Sequence, residues 1–281
     1  MTMTVEPIHQ TAVIDLGARL AAGVRVGAYA VIGPEVELGP EVEIGHHVVL
    51  EGRVTVGART RIGHGSVIGG PPQDLKYKPG TPSGVRIGEE TVIREYVTIH
   101  RAATEHGWTE IGQQTLIMTM SHIAHDCKIG NHVIIINYAG LTGHVQVEDR
   151  ATVGGLSGVH PFARVGMYAY IGGCSKVVQD VPPFVTVDGI PATARSVNVV
   201  GLKRAGIGLE DRRLIQVAYR ILYRSGLSPR GAIERIRGEL TPTSLLTHLA
   251  EFLETSKLGI CGPAIHEAKS PVPEEEGEPI F

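Results

Sequence analysis

The chain has 281 residues, 42% of them hydrophobic, 20% charged and only 5% aromatic, with a formal net charge of -3. That length can bury a sizeable core, the charge supplies no global positive field for nucleic acid, and no apolar run approaches the ~18 residues of a membrane span. The opening residues, MTMTVEPIHQTAVIDLG, lack the basic-then-apolar layout of a signal peptide. Three cysteines without a CxxC pair fit a reducing, cytoplasmic compartment and argue against a disulfide framework. The 36 glycines, about 13% of residues against a usual ~7%, are an anomaly that needs a cause.

The cause is a repeat. A six-residue ladder of aliphatic residues starts at Ile8 and runs through Ile14, Leu20 and Val26 to Ile68. It resumes over Ile87, Ile93 and Ile99, and again from Ile111 to Val177, giving 26 positions that are all Ile, Leu or Val. Neither a helical nor an alternating period generates this pattern, whereas a parallel β-helix does. Each hexad forms one short strand and a corner, three hexads make an 18-residue coil, and positions 18 apart stack at the ~4.7–4.9 Å strand spacing. Glycine follows the aliphatic residue in 13 of the 26 hexads, where the backbone must turn with little room for a side chain. A narrow prism also excludes rings. The 26 ladder residues are core and carry no chemistry.

The prism is predicted over residues 1–190, with loops thrown out at 69–86 (GGPPQDLKYKPGTPSGVR) and 100–110 (HRAATEHGWTE), where binding residues tend to be placed. A proline-rich exit from Val181 leads to a helical domain over 191–260. Its amphipathic segments are DRRLIQVAYRILYRS, a segment opened by Ser228-Pro229, and TPTSLLTHLAEFLETS. The acidic, proline-rich stretch 261–281 is predicted to be a disordered tail.

Histidines depart from the scaffold. His125, His144 and His160 follow ladder positions 123, 141 and 159, so the spacing predicts a row of imidazoles on one face of three successive coils. His122 precedes the first of them and His100 opens the second loop, in the stretch where hexads most often lack their glycine. Function overriding a local rule has this appearance. Two chemistries suit such a row: three histidines holding a zinc ion with an open position, as in a hydrating enzyme, or one histidine acting as general base while the others bind substrate.

The segments IGGPPQDLKYK (68–78), VTIHR (97–101), SHIAHDCKIG (121–130), LTGHVQVED (141–149), GGCSKVVQDVPP (172–183), VNVVGLKR (197–204) and ILYRSG (221–226) carry a further signal. Together they strongly resemble the acyl-[acyl-carrier-protein]–UDP-N-acetylglucosamine O-acyltransferase family, the first enzymes of lipid A synthesis. The resemblance covers roughly residues 5–258. It implies a mainly β chain: a left-handed parallel β-helix of hexapeptide repeats followed by a C-terminal α-helical domain, assembled as a homotrimer with sites between subunits. It implies transfer of an (R)-3-hydroxyacyl group from acyl carrier protein to the 3-hydroxyl of UDP-N-acetylglucosamine, with no metal and no cofactor beyond the carrier's phosphopantetheine thioester. By the same resemblance, His125 is the general base, Asp126 its orienting partner and Gly143 the oxyanion amide. Adjacent strand residues normally point apart, which opposes the Asp126 role. Asp74, Lys76, His100, His122, His144, His160, Asn198 and Arg204 match substrate contacts, and Gly173 falls where the acyl channel is limited, implying a long acyl chain.

Between 199 and 237 nine basic residues face three acids, a local excess suited to docking an acidic carrier protein. Pro161, Val200 and the Pro71-Pro72 pair depart from the family pattern near the sugar site. A 3-amino acceptor, as in a related UDP-sugar N-acyltransferase, therefore stands beside the 3-hydroxyl, and a zinc-dependent hydrating enzyme on the same prism is the alternative of a different class.

Overall fold

The structure, a computed structural model, describes residues 7–264. Successive two- to four-residue strands fall into three parallel sheets, the faces of a triangular prism, and each strand pairs with the one three places further along. Residues 18 apart are in register, as in Ile14↔Ile32 and Leu141↔Val159. Both loops leave the register intact, because Ile68 still meets Ile99 and Ile87 still meets Ile111. They are shorter than the sequence suggests: strands Val67–Gly70 and Gly84–Ile87 flank the first, and Trp108 lies on the strand Trp108–Ile111 rather than in the second. This is a left-handed parallel β-helix.

Its interior is a set of aliphatic columns. Ile117, Ile135, Val153 and Ile171 stack in register along the third face, each fully buried. Burying such a side chain is worth ~1.5–3 kcal/mol. The glycine after the core residue permits close approach rather than the turn itself: a Cβ on Gly27 would lie 2.8 Å from the Gly45 carbonyl carbon of the next coil. The left-handed turn comes two residues later and falls on ordinary residues, among them Tyr29, His47, Asp126, Tyr138, His144 and Phe162, with φ between 56° and 65°. That conformation costs roughly 1–2 kcal/mol for an L-residue. Coil-to-coil hydrogen bonds offset it, such as Tyr138 N to Thr119 O at 3.1 Å and His144 N to His125 O at 3.0 Å.

The three faces differ in chemistry. The second presents Arg19, Glu37, Arg86, Glu110 and Lys128 to solvent. The first presents apolar residues such as Val13 and Val31, the third presents Arg25, Glu43 and Arg61 in its early coils and Ile134 and Tyr170 further along, and the edge between them carries Tyr29, Tyr96, Met120, Tyr138 and Leu156, each 46–64% exposed.

Beyond the prism, an antiparallel hairpin (Val185–Gly189 and Ala192–Val197) extends the third face. Four helices follow: α1 (Val199–Arg204), α2 (Leu209–Arg224), α3 (Pro229–Glu239) and α4 (Ser244–Glu254). Asn198, Ser228 and Thr243 cap α1, α3 and α4 with side-chain oxygens, and Pro229 occupies the first turn of α3. Residues 261–264, predicted as tail, instead return to the prism: Cys261 N donates to Asp180 O at 2.9 Å and Ala194 N to Gly262 O at 2.8 Å. The acidic stretch from 265 lies outside the described residues.

Two polar clamps hold α4 to the coils. Arg164 pairs with buried Asp180 at 3.0 Å and donates to Phe252 O at 2.7 Å, while His248 Nε2 meets Glu148 Oε2 at 2.7 Å. The Glu148 hydrogen bond raises the His248 pKa above its ordinary value against the opposing effect of burial. A raised folded-state pKa gives stability that is fully present below the unfolded value of ~6.5 and lost as pH rises through the folded one. His248→Gln is therefore expected to lower the melting temperature by about 2–4 °C at pH 5.5. The difference should shrink by pH 9; one that is constant with pH in thermal melts would show that the charge plays no part.

Candidate active site

The edge between the first and second faces carries most of the histidines singled out by the sequence. Its left-handed corner is occupied on successive coils by Asp126, His144 and Phe162, and His125 sits one residue before the first of these. Asp126 has φ 59°, so its side chain turns back toward its neighbour instead of away. Asp126 Oδ2 lies 2.8 Å from His125 Nδ1. The objection that adjacent residues point apart holds for strand geometry and fails at this corner.

The carboxylate is itself fixed. It accepts from the Ala103 amide at 2.9 Å and the Thr104 amide at 3.4 Å, both in the second loop, while the Asp126 amide donates to Thr109 Oγ1 at 2.9 Å. Burial pushes the Asp126 carboxyl up, but the His125 hydrogen bond, the loop donors and the His144 ring together hold it below the ordinary carboxylate value. An ionised Asp126 keeps the proton of neutral His125 on Nδ1 and leaves Nε2 as the basic nitrogen.

His125 lies against Gly143. A Cβ on Gly143 would come within 2.6 Å of both Nε2 and Cε1, so only glycine allows the imidazole there. Among the described residues the Gly143 N–H has no acceptor, while Gly143 O is engaged by Phe162 N at 3.2 Å. The imidazole thus packs on a glycine whose amide is free. The rings of His125 and His144 are 5.2 Å apart and nearly perpendicular.

A second pair of rings adjoins the first. His100 and His122 meet edge-on at 4.8 Å, and His122 Nδ1 bonds Thr98 Oγ1 at 2.7 Å. Burial, then the nearby His122 and His125, lower the His100 pKa to about 4, and its Nδ1 is buried with no partner among the described residues. Burial and His125 lower His122 likewise. The cluster is therefore predominantly neutral at physiological pH.

Other predicted positions lie apart. His160 follows its core residue by one position, not by the two or three of His125 and His144, and its exposed ring approaches Pro161 O at 3.2 Å. In place of the expected row of three imidazoles the corner carries Asp126, His144 and Phe162, with His125 beside the first of them. His125, Asp126 and His144 bring one potential metal-ligand atom each within 4.8 Å of one another, and among the described residues His160 does not join them to complete a three-histidine set. Asp74 and Lys76 lie in the first loop, where the Lys76 amide donates to Asp74 Oδ1 at 2.9 Å. Neither lines the groove of about 900 Å³ beside Asp126, His144 and Phe162. The Asn198 side chain is engaged in structure, accepting from Gly201 N at 3.0 Å and donating to Tyr168 O at 2.9 Å. Arg204 is exposed at the end of α1. A Cβ on Gly173 would meet only Gly155 O, at 3.4 Å, so open space lies above it.

Phe162 and the loop residues Ala103 and Thr104 escaped the sequence reading. Phe162 was findable, standing 18 residues after His144 as His144 stands 18 after Asp126. The loop amides had no signal, because a backbone donor leaves none in the side chains.

Residues 180–261 match the family described as UDP N-acetylglucosamine O-acyltransferase, domain 2, and residues 17–52, 35–70 and 109–143 match bacterial transferase hexapeptide repeats. The acyl-[acyl-carrier-protein]–UDP-N-acetylglucosamine O-acyltransferase of Thermodesulfovibrio yellowstonii is 48% identical over 197 residues, 70% of this chain and 76% of that protein. That of Gloeothece citriformis is 43% identical over 192 residues, 68% of this chain and 69% of that protein. Among solved structures, the UDP-N-acetylglucosamine acyltransferase of Campylobacter jejuni superposes with a TM-score of 0.86 at 34% identity, covering 92% of this chain and 100% of that one. The Arabidopsis UDP-N-acetylglucosamine acyltransferase gives 0.79 at 36% identity, covering 90% and 99%. The chain belongs to the acyl-[acyl-carrier-protein]–UDP-N-acetylglucosamine O-acyltransferase family.

Proposed function

We propose that the protein transfers an (R)-3-hydroxyacyl group from acyl carrier protein to the 3-hydroxyl of UDP-N-acetylglucosamine, the first step of lipid A synthesis, in the cytoplasm. The observation that carries this reading is the packing of His125 Nε2 against Gly143, a residue whose amide is free, backed by the 2.8 Å bond from Nδ1 to Asp126. Nε2 removes the proton of the sugar hydroxyl as its oxygen attacks the thioester carbonyl. The Gly143 N–H stabilises the tetrahedral oxyanion, and Asp126 stabilises the imidazolium. Collapse breaks the carbon–sulfur bond, and the imidazolium returns its proton to the departing phosphopantetheine thiolate. Proton and electron pairs balance with no cofactor of the enzyme's own. His100, His122, His144 and His160, with Asp74, Lys76, Asn198 and Arg204, bind the nucleotide sugar.

The active unit is a homotrimer. The apolar edge from Tyr29 to Leu156 and the apolar residues on its two flanking faces support burial against further copies, while the charged second face stays in water. In such an assembly Asp74 and Lys76, remote from the groove of their own chain, would serve the site of a neighbour. Tyr138→Asp is expected to shift the sedimentation velocity of the protein from a trimer to smaller species; an unshifted boundary would remove this edge from the interface.

Docking of the acidic carrier draws on cations that the fold leaves free. Arg230, Arg235 and Arg237 are neutralised by Glu234, Glu239 and Glu254. Among the described residues Lys203, Arg204, Arg212, Arg213, Arg220 and Arg224 form no ion pair.

An acyl-transfer assay with UDP-N-acetylglucosamine and its 3-amino analogue tests the function. His125→Ala is expected to lower kcat by about 10²–10⁴, and activity equal to wild type would remove the mechanism. Preference for the 3-amine would reassign the acceptor. In the same assay, reversing the charge of Arg212 and Arg213 should raise KM for acyl carrier protein about tenfold at low salt and less at high salt. An unchanged KM would place docking elsewhere. Gly173→Met, which fills the space above Gly155, should shift donor preference toward shorter chains by at least about tenfold. Unchanged chain selectivity would mean that the acyl group does not pass there.

A further inference from the structure

We infer that Phe162 is the positioning residue for His144, holding that imidazole in the plane its contact with the acceptor sugar requires; this rests on the function proposed above. The rings of Phe162 and His144 are stacked at 4.5 Å with only 6° between their planes. Both stand at the same left-handed corner of consecutive coils, 18 residues apart, so the repeat itself sets the ring on the ring. The backbone adds a second link, because Phe162 N donates to Gly143 O at 3.2 Å and so fixes the peptide that joins Gly143 to His144.

Nothing in packing alone accounts for this phenyl group. It is 61% exposed, belongs to no core column and lines the groove beside the catalytic pair. The rest of the corner ladder explains the arrangement. Asp126, the rung before His144, is tied by hydrogen bonds to His125, Ala103 and Thr104 and leaves the His144 ring to be held by its other neighbour. Asp180, which follows Phe162 by 18 residues, is drawn inward to Arg164 and Ser256 and cannot take over. With one face covered by Phe162, His144 is left with its plane nearly perpendicular to His125 and its Nε2 3.9 Å from Asp126 Oδ2. A free imidazole would sample both ring flips and several tilts, and a stacked one loses that freedom before substrate arrives.

Phe162→Leu keeps bulk and removes the flat face, and Phe162→Trp restores a flat face. For the leucine variant the expected result is a rise in KM for UDP-N-acetylglucosamine of about three- to tenfold, with KM for the acyl carrier protein donor unchanged. The tryptophan variant should recover most of that loss. Independently of turnover, the His144 ring carbon-bound protons in histidine-labelled, ligand-free protein should resonate upfield in wild type and lose that ring-current shift in the leucine variant. Identical acceptor KM in wild type and Phe162→Leu, or His144 resonances that do not move between them, would overturn the assignment. Failure of tryptophan to rescue would overturn it too, by tying the loss to shape rather than to stacking. Wild-type enzyme that transfers no acyl group at all would instead sink the functional reading, and the control reaction reveals that before any variant is compared.

Discussion

Vertical stacking of one coil on the next governs this molecule. Because residues 18 apart must meet in register, the interior is an array of aliphatic columns, the residue after each core position must often be glycine, and each corner must be left-handed. A corner with positive φ turns its side chain outward along the edge and back toward the preceding residue. The same constraint that builds the scaffold thus produces the corner at which His125 and Asp126, neighbours in sequence, share a hydrogen bond. The His125–Asp126 pair is a by-product of the corner rather than an exception to it.

The prism was legible in detail because its period is enforced by close packing: one displaced hexad would drive a polar residue into an interior with no room for water. The same rule marks its limits. Which residues share an edge depends on their offset from the core position, and counting coils alone placed His160 in a row that it does not join. Counting the offset as well places Asp126, His144 and Phe162 on one edge. Contacts made by backbone were illegible altogether, such as the amides of Ala103 and Thr104 on the Asp126 carboxylate. The resemblance to a known family supplied the roles of His125 and Gly143, which periodicity could not assign.

The electrostatics of the site follow from where the histidines sit. His100 and His122 lie partly out of water and beside other imidazoles, so their neutral forms are favoured. Two neutral rings can offer donors and acceptors to a ligand without placing positive charge beside His125. The Asp126 carboxylate lies on Nδ1 of His125 and so leaves Nε2 unobstructed.

The segment 261–264, running beside Asp180 and Ala194, has a meaning beyond its own hydrogen bonds. A stack of parallel strands ends in a row of unsatisfied amides and carbonyls, a surface that would template further strands from another molecule. Here the last coil is met by the hairpin and then by the chain's own returning end, so the growing face of the solenoid is closed from within. A scaffold that is in principle endless is thereby given a definite length, and the helices are set at a fixed height above the corner that carries Asp126, His144 and Phe162.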